Sequence, residues 1–160
     1  LYNMKIILAS VGRHHESYVQ QGIQDFSSRI EKYFRMEWLL IPSPKNAGAM
    51  DEKTLKQQEA KIILQQIDEQ DFLVLLDERG KQLSSPELAN LIQQKANDSV
   101  KRLVFLIAGA YGADAPVMQR ANYTWSLSKL VFPHMLVRLM LAEQVYRACT
   151  ILRNEKYHHS

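Results

Sequence analysis

The chain has 160 residues and a single cysteine, Cys149. That excludes an intrachain disulfide framework and any zinc site built from several thiolates. A lone cysteine in an apolar stretch is expected to be a small buried side chain. Glycine and proline are sparse, six and five residues, and neither internal repeats nor low-complexity tracts occur, which removes solenoids and flexible arrays. No run of 18 apolar residues exists, so no membrane-spanning helix is expected. The first apolar run is too short for a signal peptide and no small-residue cleavage site follows it, which points to the cytoplasm. Residues 1–3, ahead of Met4, read as an upstream extension or a cloning remnant. A dinucleotide fingerprint, a phosphate loop and a nucleophile elbow are all missing, which leaves a small hydrolase or nucleotide-binding enzyme without support. No His, Asp, Glu and Cys grouping has metal-ligand spacing, so no metal is expected.

What is present suits one globular domain over residues 1–160. The apolar share is 46% and the charged share 23%, ordinary values for a folded chain. The net charge of +3 is too small to name a partner, but its distribution is uneven. Residues 1–100 carry 12 basic and 14 acidic side chains, whereas residues 101–160 carry 8 basic and 3 acidic ones, with three of the five histidines. Anions should collect at this basic C-terminal part.

Short apolar runs alternate with helical periodicity. Strands are expected at 5–11, 36–41, 72–76, 103–108 and 123–126. Helices are expected at 16–33, 55–67, from the Ser84-Ser85-Pro86-Glu87 start to about residue 96, at 115–120 and at 135–152. The alternation predicts an α/β fold with a mostly parallel sheet. The last helix is apolar around most of its circumference, through Leu136, Val137, Leu139, Met140, Leu141, Val145 and Ile151. Such a helix is buried on several sides, and pairing with a second copy would bury it.

Ligands of an open parallel sheet bind at the carboxyl ends of its strands. Three such ends stand out. One is Leu76-Asp77 running into Gly80-Lys81. Another is Ile107-Ala108-Gly109-Ala110-Tyr111-Gly112, where a glycine lets backbone approach a ligand closely. The third is Trp125-Ser126-Leu127-Ser128-Lys129-Leu130-Val131-Phe132-Pro133-His134, just ahead of the long helix. His134 and Arg138 stand four apart on one helix face, near a helix start that attracts anions. Glu143 and Arg147 read as a structural i,i+4 salt bridge. The tail, with Tyr157 and His158, reads by default as a frayed end.

These segments resemble one family. Leu76-Asp77 with Gly80-Lys81, residues 105–112, Ser126-Leu127-Ser128, Phe132-Pro133-His134 with Arg138, and Glu143-Gln144-Val145-Tyr146-Arg147-Ala148 through Tyr157-His158 are similar to the small bacterial SPOUT-class methyltransferases of the ribosomal large subunit methyltransferase H family. The resemblance runs from Met4 to His159. It implies a parallel-sheet SPOUT fold with a C-terminal trefoil knot, which physics alone would not propose because knots are very rare. It also implies a homodimer through the C-terminal helix, S-adenosylmethionine as cofactor, and N3-methylation of a pseudouridine in a decoding-region stem-loop of 23S rRNA, in the ribosome or its large subunit. By position, the cofactor would be lined by Leu76, Ala108, Gly109, Leu127, Ser128, Lys129, Leu130, Val131 and Phe132. Ala108 departs from the family's usual pair of glycines.

Methyl transfer to a uracil-type nitrogen needs positioning and removal of the N3 proton. Arg138 would steady the developing anion or a phosphate. His134, His158 or Tyr157 would take the proton or orient the base, the last two if a partner's tail closes over the site. Lys129 is expected to use its backbone at the cofactor and point its ammonium toward RNA. The alternative is a ribosome-binding module without catalysis, in which Ala108 marks a decayed cofactor site.

Overall fold

The computed structural model describes residues 3–159. Leu1 and Tyr2, most of the stretch read as an extension, lie outside the described residues, as does Ser160. Five strands form the sheet: β1 (Lys5–Val11), β2 (Arg35–Ile41), β3 (Phe72–Gln82), β4 (Arg102–Ile107) and β5 (Tyr123–Ser126). Five helices join or follow them: α1 (Ser17–Ile30), α2 (Glu52–Gln66), α3 (Ser85–Asn97), α4 (Ala115–Arg120) and α5 (His134–Leu152). The strand order is β2-β1-β4-β3-β5, and every pairing is parallel.

Alternate residues of the central strands serve opposite faces. Ile6, Leu8 and Phe105 join Ile30 of α1, Leu88 and Ile92 of α3, and Leu141 and Val145 of α5. Ile7, Ala9, Val104 and Leu106 join Ala60 and Ile63 of α2 and Val117 of α4. The fold is therefore three layers, and covering both faces explains why β1 and β4 are almost wholly apolar. Each buried Val, Leu, Ile or Phe among them contributes about 1.5–3 kcal/mol by leaving water.

The helix starts follow their local chemistry. The Ser84 hydroxyl accepts from the Glu87 N–H, and the Glu87 carboxylate accepts from the Ser84 N–H, the reciprocal box its sequence predicts. Asp51 caps α2 through the Thr54 N–H. Helix α5 lies between α1 and α3 on one face of the sheet, which accounts for much of its apolar circumference within a single chain.

Two boundaries differ from expectation. Helix α1 stops at Ile30, and residues 31–33 turn so that Phe34 reaches the core. Strand β3 continues beyond Leu76 to Gln82, because residues 77–80 swing out and the strand then resumes: Leu76 and Lys81 both pair with Trp125. The polar residues of that outward loop conceal the strand's second half from an apolar pattern.

Candidate functional site

Because all strands point one way, the exits of β3, β4 and β5 share one edge. They enclose a cavity of about 450 Å3, inside the roughly 300–1,000 Å3 range of small-molecule sites. Leu76 and Asp77 form one wall, residues 108–112 a second and the irregular segment after β5 a third, with His134 and Val137 of α5 beside them.

Local interactions fix each wall. The loop 77–80 is an outward bulge, and Gly80 permits its return, since a Cβ there would overlap the Thr124 carbonyl. Arg79 grips the Asp77 carboxylate through Nε and Nη2, both at 2.8 Å, and these hydrogen bonds hold the Asp77 carboxyl below its ordinary range. After β5, the Ser126 hydroxyl donates to the Ser128 carbonyl at 3.0 Å, and the Leu130 N–H donates to the Ser128 hydroxyl at 3.0 Å. Two serines thereby shape a loop that has no ladder partner. Gly109 is buried against Glu59 of α2, and a Cβ at residue 109 would collide with both Glu59 carboxylate oxygens.

Of the four side chains expected to act on the base, His134 alone lines the cavity. Burial first, then the neighbouring charge of Arg138, pushes its pKa below the usual value, and it is hydrogen-bonded to the Gly109 backbone. Its imidazole is neutral at pH 7, with one ring nitrogen committed and the other able to accept a proton.

Arg138 is placed differently from its expected position at the reacting base. It is 1% exposed and does not line the cavity. Its Nε donates to the Ser10 hydroxyl at 3.0 Å and its Nη1 to the Arg13 carbonyl at 2.8 Å, while His15 Nδ1 stands 3.3 Å away. It ties α5 to the end of β1, and its charge acts on the His134 imidazole.

Tyr157 and His158 belong to another cluster. The Tyr157 hydroxyl donates to Glu143 Oε2 at 2.8 Å, Arg147 Nη2 approaches the same oxygen at 2.7 Å, and Arg147 Nη1 stands 3.2 Å from His158 Nδ1. The Tyr157 ring packs edge-on to Tyr146 at 4.7 Å. The tail is docked, and the Glu143–Arg147 pair, read from spacing as a structural bridge, is the centre of a network that also holds Gln144, Tyr157 and His158. Glu143 is nine residues beyond His134 on one straight helix, roughly 13 Å at 1.5 Å per residue. Within one chain the two groups do not converge. A second cavity, about 470 Å3, lies beside Glu143 and Gln144 and is lined by Phe26, Leu139 and Met140.

A family model described as a predicted SPOUT methyltransferase matches residues 4–158. The chain belongs to the SPOUT methyltransferase family. Its curated relatives include ribosomal RNA large subunit methyltransferase H of Cytophaga hutchinsonii, 42% identical over 156 residues, covering 98% of this chain and 100% of that one. The enzyme of the same name from Desulfitobacterium hafniense (strain DCB-2) is 37% identical over 158 residues, 97% of this chain and 99% of the relative. Among solved structures, a probable methyltransferase of Bordetella pertussis superposes with a TM-score of 0.56 at 10% identity, covering 92% of this chain and 95% of that one. A probable methylase family protein of Haemophilus influenzae gives 0.52 at 15% identity, covering 99% and 71%. These two likenesses are of fold.

In this SPOUT chain the residues named for the cofactor gather closely. Leu76, Ala108, Gly109, Leu127, Ser128, Leu130, Val131 and Phe132 all line the cavity. Lys129 does not, and it is exposed. Ala108 is 5% exposed and packs in the core on the α2 and α4 face. Sequence reasoning missed Tyr111 at the mouth and Glu59 behind the wall. Tyr111 sits inside a segment already singled out, whereas nothing in the polar pattern of α2 marks Glu59.

Proposed function

We propose that this chain is an S-adenosylmethionine-dependent methyltransferase acting on N3 of a pseudouridine in 23S rRNA of the large ribosomal subunit. The observation that carries the reading is the cavity at the carboxyl edge, where Gly109, the loop 127–132 and a neutral His134 meet. The names of the full-length relatives supply the rRNA target class. The knotted path through this edge is part of the same proposal, as is action in the cytoplasm, where ribosomes are.

The residues fit the methyl donor. The walls combine apolar side chains with backbone at residues 108–112 and 127–132; the two cations in the lining, Lys56 and Arg79, are matched by Asp77 and Glu78, and Arg138 lies outside the lining. When bound, the donor supplies a methyl group made electrophilic by its sulfonium. His134 accepts the N3 proton at its free ring nitrogen. Burial, and then the charge of Arg138, keep that imidazole neutral. Lys129, exposed beside the mouth, meets RNA phosphate, so affinity for RNA falls as salt rises.

The enzyme acts as a homodimer through α5. Leu130 and Val131, 70% and 82% exposed at the cavity mouth, and the apolar cavity beside Leu139 and Met140 are surfaces a second copy covers. The docked tail of one protomer then brings Tyr157, His158, Glu143 and Arg147 toward the partner's His134. Calorimetry with S-adenosylmethionine and a methylation assay on large subunits lacking the mark test the proposal. Saturable binding and incorporation of one methyl group per subunit are expected; no binding at millimolar donor overturns it. The non-catalytic reading rests on Ala108, which lines the cavity, and ribosome binding without donor binding would favour it.

A further inference from the structure

Glu59 breaks the usual rule for buried charge. It is 7% exposed, it faces the core beside Ala60 and Ile63, and no hydrogen bond or ion pair to it is found among the described residues. Burial raises its pKa with no opposing charge to lower it. Leaving a carboxylate so placed costs stability, and such local violations mark sites where function outweighs stability. Its position is informative. Both carboxylate oxygens occupy the space that a Cβ of residue 109 would take, and Gly109 itself is part of the cavity wall. One glycine, without a side chain, separates the acid from the ligand space.

The other charges around the cavity are accounted for. Asp77 is bound by Arg79, His134 is neutral, and Lys56 and Glu78 at the rim are opposite in sign. The buried cation Arg138, behind His134, disfavours a positive ligand. Glu59 is the remaining negative group, directly behind Gly109 of the wall.

We propose that Glu59 is a specificity-determining residue: its carboxylate, one glycine behind the wall, makes the cavity prefer a cationic ligand, so that a sulfonium methyl donor is held more tightly relative to the neutral thioether left after transfer. The inference rests on the methyl-donor reading above. It gives the chain a means of releasing its spent cofactor, because the charge that Glu59 attracts disappears with the methyl group.

The test is calorimetric affinity of the full chain for S-adenosylmethionine and for S-adenosylhomocysteine, with and without Glu59→Gln, which keeps volume and removes charge. The sulfonium ligand is expected to weaken about tenfold and the thioether less than twofold. Equal weakening of both means that Glu59 only supports Gly109 and overturns the proposal, as does no change in either. If Glu59→Gln does not fold, Glu59→Asp carries the same test: retracting the charge by one methylene lowers the preference two- to fivefold, and an unchanged preference overturns the proposal. If the wild-type chain binds neither ligand, the methyl-donor reading itself fails and takes this inference with it.

Discussion

Gly109 stands between a carboxylate and a cavity, and its missing side chain is what both require. Gly109→Ala places a methyl group on the Glu59 oxygens. Overpacking of this kind costs about 1–3 kcal/mol, so the melting temperature falls. The double variant with Glu59→Ala removes the overlapping atoms and recovers most of the loss, a coupling that a thermal-melt double-mutant cycle measures directly. His134 makes a second prediction. Its folded pKa lies below the unfolded 6.5, so between the two values only the unfolded chain takes up a proton. Stability is complete above pH 6.5 and declines as pH drops through that window. His15 has the same sign. His134→Gln therefore flattens, without abolishing, the loss of urea midpoint between pH 7.5 and 5.5.

Among the elements, α5 joins the layers, and Arg138 is its deepest polar attachment. Arg138→Ala leaves the Ser10 hydroxyl and the Arg13 carbonyl without their donor and opens a void. The expected cost is about 2–4 kcal/mol in urea unfolding, alongside reduced methyl transfer. A surface arginine that only met RNA would show the second effect alone. Much of this element plan is legible in the sequence. Apolar period and turn residues mark all five strands and all five helices, most plainly in β1 and β4, which are buried on both faces and almost wholly apolar. The far half of β3 is not legible, since Asp77, Glu78 and Arg79 leave the sheet before Lys81 and Gln82 rejoin it. The site divides in the same way. Loop residues at strand ends could be named from position, whereas the partners of Arg138 lie about 125 residues away in β1 and its exit loop, and the tie from Tyr157 to Glu143 depends on the tail folding back. Glu59 reads as one more polar residue of a polar helix.

At the scale of the whole molecule, the proposed dimer divides each active site between two chains. A His134→Ala variant and a variant lacking residues 157–160 should each be inactive. Mixed and allowed to exchange subunits, they form heterodimers in which one of the two sites has an intact His134 and an intact tail. About a quarter of wild-type methylation should return, half the dimers being mixed and half their sites complete. If the tail serves its own chain, mixing restores nothing.

The position of α5 between α1 and α3 also sets the order in which the chain can be completed. Ile30, Leu88 and Ile92 belong to helices made before α5, whose Leu141, Val145 and Cys149 close over them. β5, which borders β3, is synthesised only shortly before. A parallel sheet of distant segments is slow to assemble, and here one of the two cores stays open until α5 has been made. Until then the apolar sides of α1 and α3 stay uncovered, the kind of surface through which folding intermediates aggregate.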